Sequence, residues 1–285
     1  MYNLRYHIAS LVAVFLALSV GLLLGTIVVE RGVLNTQRTR LVDSIQKDVD
    51  KVNAANQRLK AANDALGAYA SATAHEIVRG IFQGRTVVVL ADPDAGETVA
   101  RTTDAVKLAG GDVALAEFSG VGLSLGDAKV RDAAMKALGS PEASQLETRV
   151  AETLAKEWTT PGDSRVLTAA LIGAGGLKLS GLAATATVGA AAVSAVYGGV
   201  PDPGALRLAG ALERDGRFSA GVEVTKKATG QARAAAAAGL SGVDDVESPL
   251  GQVSLIWVLA GRAAGSYGSG TGVDAPFPQP LFKQP

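Results

Sequence analysis

Residues 8–29 read IASLVAVFLALSVGLLLGTIVV, a run of twenty-two residues without a charged side chain. A helix rises about 1.5 Å per residue, so this run would extend about 33 Å and could cross a hydrocarbon core of about 30 Å. A cleavable signal peptide has a shorter apolar core and is followed by a polar mature start. Here apolar residues 27–29 follow the last small residues. The sequence therefore predicts an uncleaved transmembrane anchor over 8–29, preceded by a short N-terminal segment, 1–7.

Two glycines in the anchor, Gly21 and Gly25, have the small-xxx-small spacing that lets membrane helices approach closely. They are our candidate packing contact between two anchors.

The charges around the anchor do not settle its direction. Arg5 precedes it and three arginines follow within residues 31–40, which would place the N-terminus outside. The placement follows from the positive-inside rule, by which basic residues are enriched on the cytoplasmic side of a membrane span. The rule is weaker for long translocated domains, so composition leaves the topology open.

A polar helix with an apolar seam, which we call the stalk, is predicted directly after the anchor, over residues 30–80. Apolar residues recur there every seven positions, with companions three or four positions away, as in the a/d seam of a coiled coil. The seam residues are Leu34, Leu41, Ile45, Val52, Leu59, Leu66 and Tyr69. A solvated helix this polar needs a partner for its seam. A parallel homodimer is one solution, and packing of the helix on its own globular domain is the other.

The remaining chain alternates predicted strands with predicted helices, which indicates an α/β domain with a mostly parallel sheet covered by helices. We assign this domain to residues 85–272 and a proline-rich tail to 273–285. The predicted strands are 86–91, 112–118, 191–197 and 219–225, and the predicted helices are 96–108, 127–138, 142–158, 203–214, 228–239 and 249–263. Residues 179–200 are uncharged but rich in Ala and Gly, so a loop plus a buried strand is expected rather than a second span.

Composition excludes several classes of function. The 27 basic and 27 acidic residues give no net charge, so no basic field for nucleic acid is expected. There is no cysteine, which excludes disulfides, Fe–S clusters and thiolate nucleophiles. The two histidines, His7 and His75, lie at the edge of the anchor and near the end of the stalk. We therefore predict a non-enzymatic protein without catalytic residues, a metal site or a cofactor.

Three local matches to catalytic or cofactor motifs are incomplete. The nucleophile-elbow pattern at 122–126 needs a histidine base, and neither histidine is expected near the sheet. The pair His75-Glu76 has Arg79 where a zinc helix needs its second histidine. The glycine cluster at 173–176 has Lys178 where a dinucleotide loop needs glycine, so a tight turn is expected.

Two aspartates, Asp92 and Asp94, follow the first predicted strand. Ligand-binding groups in α/β folds are often found at such strand ends, and carboxylates there could hold a hard cation or a polar ligand. Capping of the following helix is the alternative role. The two residues are our candidate ligand site.

Several blocks of sequence resemble one actinobacterial family, that of the copper transport protein B, MctB. The blocks are Asn3–Leu18 with Val20-Gly21 and Leu24-Gly25, the heptad stalk, Val87–Ala91, Ser248–Gln252 and Gly265–Gly268. The family also includes the SteB-type cell-separation proteins. One branch implies copper export or homeostasis. The other implies an envelope protein that dimerises through a coiled coil and stimulates a peptidoglycan hydrolase.

The resemblance implies a topology that charge counting left open. Residues 1–7 would be cytoplasmic, and the bulk of the chain would lie outside an inner membrane that it crosses once. The implied partners are the membrane, a second copy of the chain, and an envelope protein such as a peptidoglycan hydrolase or its regulator. Copper sites need clustered thiolates, thioethers or imidazoles, and this chain has few of them past the anchor. We therefore expect a scaffold or regulator in cell separation, with an indirect role in copper export as the alternative. A carboxylate-based hydrolase that acts on wall polymers is a third hypothesis, because aspartates and glutamates are plentiful.

Overall fold

The computed structural model describes residues 4–30, 33–119, 123, 125–162, 164–197, 199–227 and 229–279. Side chains are described for the same residues except 28–30, 33–36, 197 and 227. The chain divides into two compact units, Met1–Leu66 and Gly67–Pro285.

The first unit is helical. Helix α1 spans Leu4–Glu30, and helix α2 spans Val33–Val78, its last turns belonging to the second unit. Within α1, the 24 residues Leu4–Ile27 are long and apolar enough to cross a membrane by length and composition, and they form the one such helix in the described part of the chain. The predicted apolar N-terminal helix is confirmed, although it begins at Leu4 rather than at Ile8.

The second unit is an α/β domain. Its strands are β1 (Thr86–Ala91), β2 (Asp112–Phe118), β3 (Leu177–Ser180), β4 (Val188–Ser194), β5 (Val196–Tyr197), β6 (Val200–Pro201), β7 (Phe218–Val222), β8 (Ser241–Val243) and β9 (Ser266–Tyr267). Its helices are α3 (Gly96–Leu108), α4 (Ala128–Ala137), α5 (Leu146–Thr159), α6 (Val166–Ala174), α7 (Pro203–Arg214), α8 (Gln231–Ala237) and α9 (Pro249–Leu259).

Seven of these strands form one sheet in the order β3-β2-β1-β4-β7-β8-β9. All neighbours pair in parallel except β2 and β3, which are antiparallel. The predicted fold class, an α/β domain with a mostly parallel sheet, is therefore confirmed. Strand β1 is central and buried along its whole length, as expected for an apolar run covered on both faces.

Two hydrophobic cores cover the two faces of the sheet. Val88 and Leu90 belong to the core formed with α4, α5, α6 and α7. Val87 and Val89 alternate to the opposite core, which includes α3 and α9. Ala74, Val78 and Phe82 are buried in this second core, so the end of α2 and the turn after it are packed parts of the domain.

Most predicted elements of the domain agree with the observed ones. Strands 86–91 and 112–118 and helices 96–108 and 203–214 have the predicted bounds, and 179–200 contains the expected loop and buried strand. Several other predicted bounds were wrong. The predicted strand over 219–225 ends at Val222, and α9 ends at Leu259, shortly before Gly261 adopts a φ of 72°. The predicted strand over 191–197 comprises the end of β4 and a separate β5.

Candidate functional site

A crevice of about 300 Å³ lies where the carboxyl ends of β1 and β4 meet. Helix α3 connects β1 to β2 across one face of the sheet. Helix α7 lies between β4 and β7 in the chain and packs on the other face. The strand order therefore reverses between β1 and β4. In open α/β sheets such a reversal leaves a crevice outside the strand ends, and ligands commonly bind there.

Asp92 forms part of the crevice wall. Its Oδ1 accepts a hydrogen bond from the backbone N–H of Asp94 at 2.7 Å, and its Oδ2 accepts one from the N–H of Val196 at 2.8 Å. The carboxylate thus ties the turn after β1 to the segment after β4. Since both oxygens are engaged by the protein, Asp92 has a clear structural role.

Asp94 also lines the crevice, with its side chain exposed. The alternative role, capping of the following helix, is not realised, because α3 begins without a side-chain cap. The backbone N–H groups of Gly96 and Thr98, in the first turn of α3, have no acceptor among the described residues. The positive end of this helix therefore faces the same region as the Asp94 carboxylate.

Two hydroxyl groups that sequence analysis did not single out line the crevice as well. Thr98 is 8 % exposed and Ser194 is 5 % exposed. Neither side chain donates a hydrogen bond within the described part of the chain. Since neither oxygen is among the described polar atoms that are sealed from solvent without a partner, both hydroxyls open into the crevice, where water or a ligand can bond to them. No sequence pattern singles out Ser194, which ends a strand rich in alanine.

A second polar cluster lies at the carboxyl ends of β7 and β8. Glu223, which is 6 % exposed, accepts hydrogen bonds from the N–H groups of Thr229, Gly230 and Gln231 and so serves the start of α8. Asp244 accepts bonds from the N–H groups of Ser269 and Gly270, each at 2.9 Å. These carboxylates hold loops in place after the strands end.

Asp245 lies in the same cluster and is 8 % exposed. Its Oδ2 accepts a hydrogen bond from the Ser248 hydroxyl at 2.8 Å, and the Ser248 oxygen accepts one from Gly251 N–H at the start of α9. Its Oδ1 is buried without a partner among the described residues. Burial, assisted by the nearby charges of Asp244 and Glu247 and opposed by the Ser248 hydrogen bond, raises the pKa of Asp245 to about 6.

Of the residues in the incomplete catalytic motifs, His75 is exposed on α2. Gly122 and Ser124 of the nucleophile-elbow pattern lie outside the described residues. Gly175 ends α6 with a φ of 82°, which confirms the predicted tight turn. Across the described residues, no group of three or more His, Cys, Asp or Glu side chains could hold a metal ion.

The predicted seam on α2 is exposed. Leu41, Ile45, Val52, Leu59, Leu66 and Tyr69 are between 55 % and 72 % exposed. The side chain of Leu34 lies outside the described part of the chain. On α1, Gly21 and Gly25 lie on one face, beside Ala17 and Leu18, and no atom lies within 4 Å of a Cβ placed at either glycine. Both surfaces remain predicted contacts.

Comparison with known proteins identifies the family. Neither the curated proteins nor the solved structures include a match to this chain. The family model described as the copper transport outer membrane protein MctB matches residues 1–278 of the chain, from the start of the chain to the segment after β9. The chain therefore belongs to the MctB family.

Proposed function

We propose that this protein is a non-enzymatic, single-pass scaffold of the cell envelope, with a stalk that dimerises and an α/β domain that binds a partner protein. The partner is a peptidoglycan hydrolase or its regulator, and the process is cell separation. In this proposal residues 1–7 are cytoplasmic, and the α/β domain lies outside the inner membrane. The observation that carries the proposal is the exposed apolar seam of α2.

The seam supports a second copy of the chain as the partner of α2. A helix of 46 residues with six described seam side chains more than half exposed has an apolar stripe that water solvates poorly. Burying a leucine side chain contributes about 1.5–3 kcal/mol. Two parallel copies anchored in one membrane would present the same stripe at the same height, so each seam residue would meet its counterpart.

Asp48, a charged residue that lies within the seam, is compatible with a parallel dimer. Asp48, which interrupts the heptad pattern, pairs with Lys51 at 3.2 Å along its own helix. The acidic group is thereby partly neutralised and need not exclude a parallel partner. Pairs of this kind contribute little by themselves when exposed, so the apolar residues would provide the association energy.

Cysteine crosslinking in native membranes tests the proposed dimer. The chain has no cysteine, so Leu59→Cys introduces a single thiol on the seam. In a parallel coiled coil the two thiols would lie close enough to form a disulfide, and mild oxidation should trap a covalent dimer. The matched control is Gln57→Cys on the outer face, which should remain monomeric. A Leu59→Cys chain that also stays monomeric would refute the seam as a dimer contact.

The proposed partner is tested by capture from solubilised membranes. Wild-type protein should retain a peptidoglycan hydrolase or its regulator, and loss of the protein should impair cell separation. Recovery of neither class, together with normal separation in a deletion strain, would contradict the proposal.

Copper export is the second candidate function, and the family description favours it because it names copper transport. In our proposal any role in copper homeostasis is indirect. Titration of the full-length protein in detergent with cuprous and cupric ions separates the two functions. Tight binding at a fixed stoichiometry would favour direct export or buffering, and the scaffold proposal expects none.

A further inference from the structure

We propose that the crevice between β1 and β4 binds a small zwitterion of the free α-amino acid type. The carboxylate of the ligand would lie on the first turn of α3, and its ammonium group would lie against Asp94. This inference concerns the α/β domain alone and does not depend on dimerisation of the stalk.

The carboxylate half of the ligand is inferred from donors that the protein leaves unused. The N–H groups of Gly96 and Thr98 have no acceptor among the described residues, and they stand at the positive end of a 13-residue helix. The hydroxyls of Thr98 and Ser194 add two more donors to the same crevice. These two side chains are more than nine-tenths buried, donate no hydrogen bond within the described residues and line the crevice, where a ligand could accept a hydrogen bond from them.

The ammonium half is inferred from the acidic side of the crevice. Asp94 and Glu97 line the crevice with exposed carboxylates, and Asp92 lies beside them. None of the described residues that line the crevice is lysine, arginine or histidine. A simple anion would meet these carboxylates, and a simple cation would meet the helix N-terminus. A ligand with both charges a few ångströms apart satisfies both sides.

The size of the crevice agrees with a small ligand. Its volume of about 300 Å³ is at the lower end of the range for small-molecule pockets. No aromatic side chain among the described residues lines it. The exposed position of Asp94 leaves an opening through which the side chain of an amino acid would extend toward solvent.

Calorimetric titration of the full-length protein in detergent micelles tests the inference. The probes are L-alanine, L-lysine and L-glutamate, with propionate and ethylamine as the two halves of alanine. At least one amino acid should bind, with a dissociation constant between about 10 µM and 1 mM, and each half-ligand should bind about tenfold more weakly or worse. A bound amino acid at a concentration well above its dissociation constant should also raise the unfolding temperature of the protein.

Variants locate the ligand. Asp94→Asn removes the proposed ammonium partner, and Thr98→Val removes one hydroxyl at nearly constant shape; each should weaken amino-acid binding about tenfold, as expected for the loss of a hydrogen bond to a charged group. Asp104→Asn, an exposed position on α3, is the matched control and should leave binding unchanged. Three outcomes overturn the inference: no binding of any amino acid, binding that both crevice variants leave unchanged, or a half-ligand that binds as tightly as alanine.

Discussion

Gly251 packs directly against the carboxyl group of Asp245. A Cβ at this position would overlap both the Oδ1 and the backbone oxygen of Asp245. Gly268 packs in the same way against Asp244, whose Oδ1 would overlap a Cβ at position 268. The φ of Gly268 is 139°. These glycines belong to the segments Ser248–Gln252 and Gly265–Gly268, which carry the family resemblance near the C-terminus. The two segments therefore meet around one acidic pair.

We expect Gly251→Ala to destabilise the α/β domain strongly. The overlapping atoms include backbone, which cannot move aside cheaply, so a loss of about 2–4 kcal/mol is expected. Denaturant unfolding followed by the fluorescence of the buried Trp158 would measure it. The control is Gly210→Ala, within α7, where the nearest atom to a Cβ is the tip of Arg214 at 3.9 Å. That variant should be neutral or stabilised by up to about 1 kcal/mol, and equal stability of the two variants would contradict the packing argument.

The raised pKa of Asp245 predicts a specific dependence of stability on pH. Because its pKa is about 6 in the folded protein and about 4 in an unfolded chain, the folded state binds the extra proton between these values. The stability that this group contributes is fully present below about pH 4 and is lost as the pH rises through 6.

Asp245→Asn removes this titration and isolates its effect. The difference in unfolding free energy between wild type and Asp245→Asn should move against the wild type by about 1–2 kcal/mol as the pH rises from 4 to 7. Denaturant midpoints measured at each pH give the difference. Gly210→Ala, which changes no ionisable group, is the control and should show no such change. Parallel pH profiles for wild type and Asp245→Asn would show that Asp245 does not titrate in this window.

The central part of the fold could be predicted because its local signals are strong. Strand β1 is an unbroken apolar run, and α3 and α7 are amphipathic over about three turns with clear end signals, such as Pro203 in the first turn of α7. Whether each of these segments forms a strand or a helix depends mainly on its own residues. Strands β8 and β9, at one edge of the sheet, have three and two residues. These are too few for any periodicity, and the segments are strands only because neighbours pair with them.

The candidate site was predictable only in part, for the same reason. Asp92 and Asp94 follow a recognisable strand, so their position at a sheet edge could be expected. Ser194 meets them because β4 pairs with β1, with Ser194 opposite Ala91, and no local pattern encodes that pairing. Asp245 was likewise missed, because its burial depends on α9 and the loop after β9.

Asp92 should contribute to stability as well as to the shape of the crevice. Asp92→Ala removes the acceptor of two backbone N–H groups, those of Asp94 and Val196, so we expect a loss of about 1–3 kcal/mol. Asp94→Ala is the matched control, since its exposed side chain holds no such bond, and its effect should stay within about 0.5 kcal/mol. Unfolding of both variants in denaturant provides the comparison. An Asp92→Ala protein as stable as the control would show that water replaces the carboxylate without cost.

The seam of α2 makes the most direct prediction about assembly. Leu59→Asp combined with Leu66→Asp would place four carboxylates at the centre of a parallel dimer, where like charges repel and are poorly solvated. Dimerisation should weaken by several kcal/mol, which analytical ultracentrifugation in detergent would record as dissociation. Gln57→Asp combined with Ala61→Asp adds the same charge to the outer face of the helix and should leave the dimer intact. If both double variants sediment as the wild type does, α2 associates through another face or not at all.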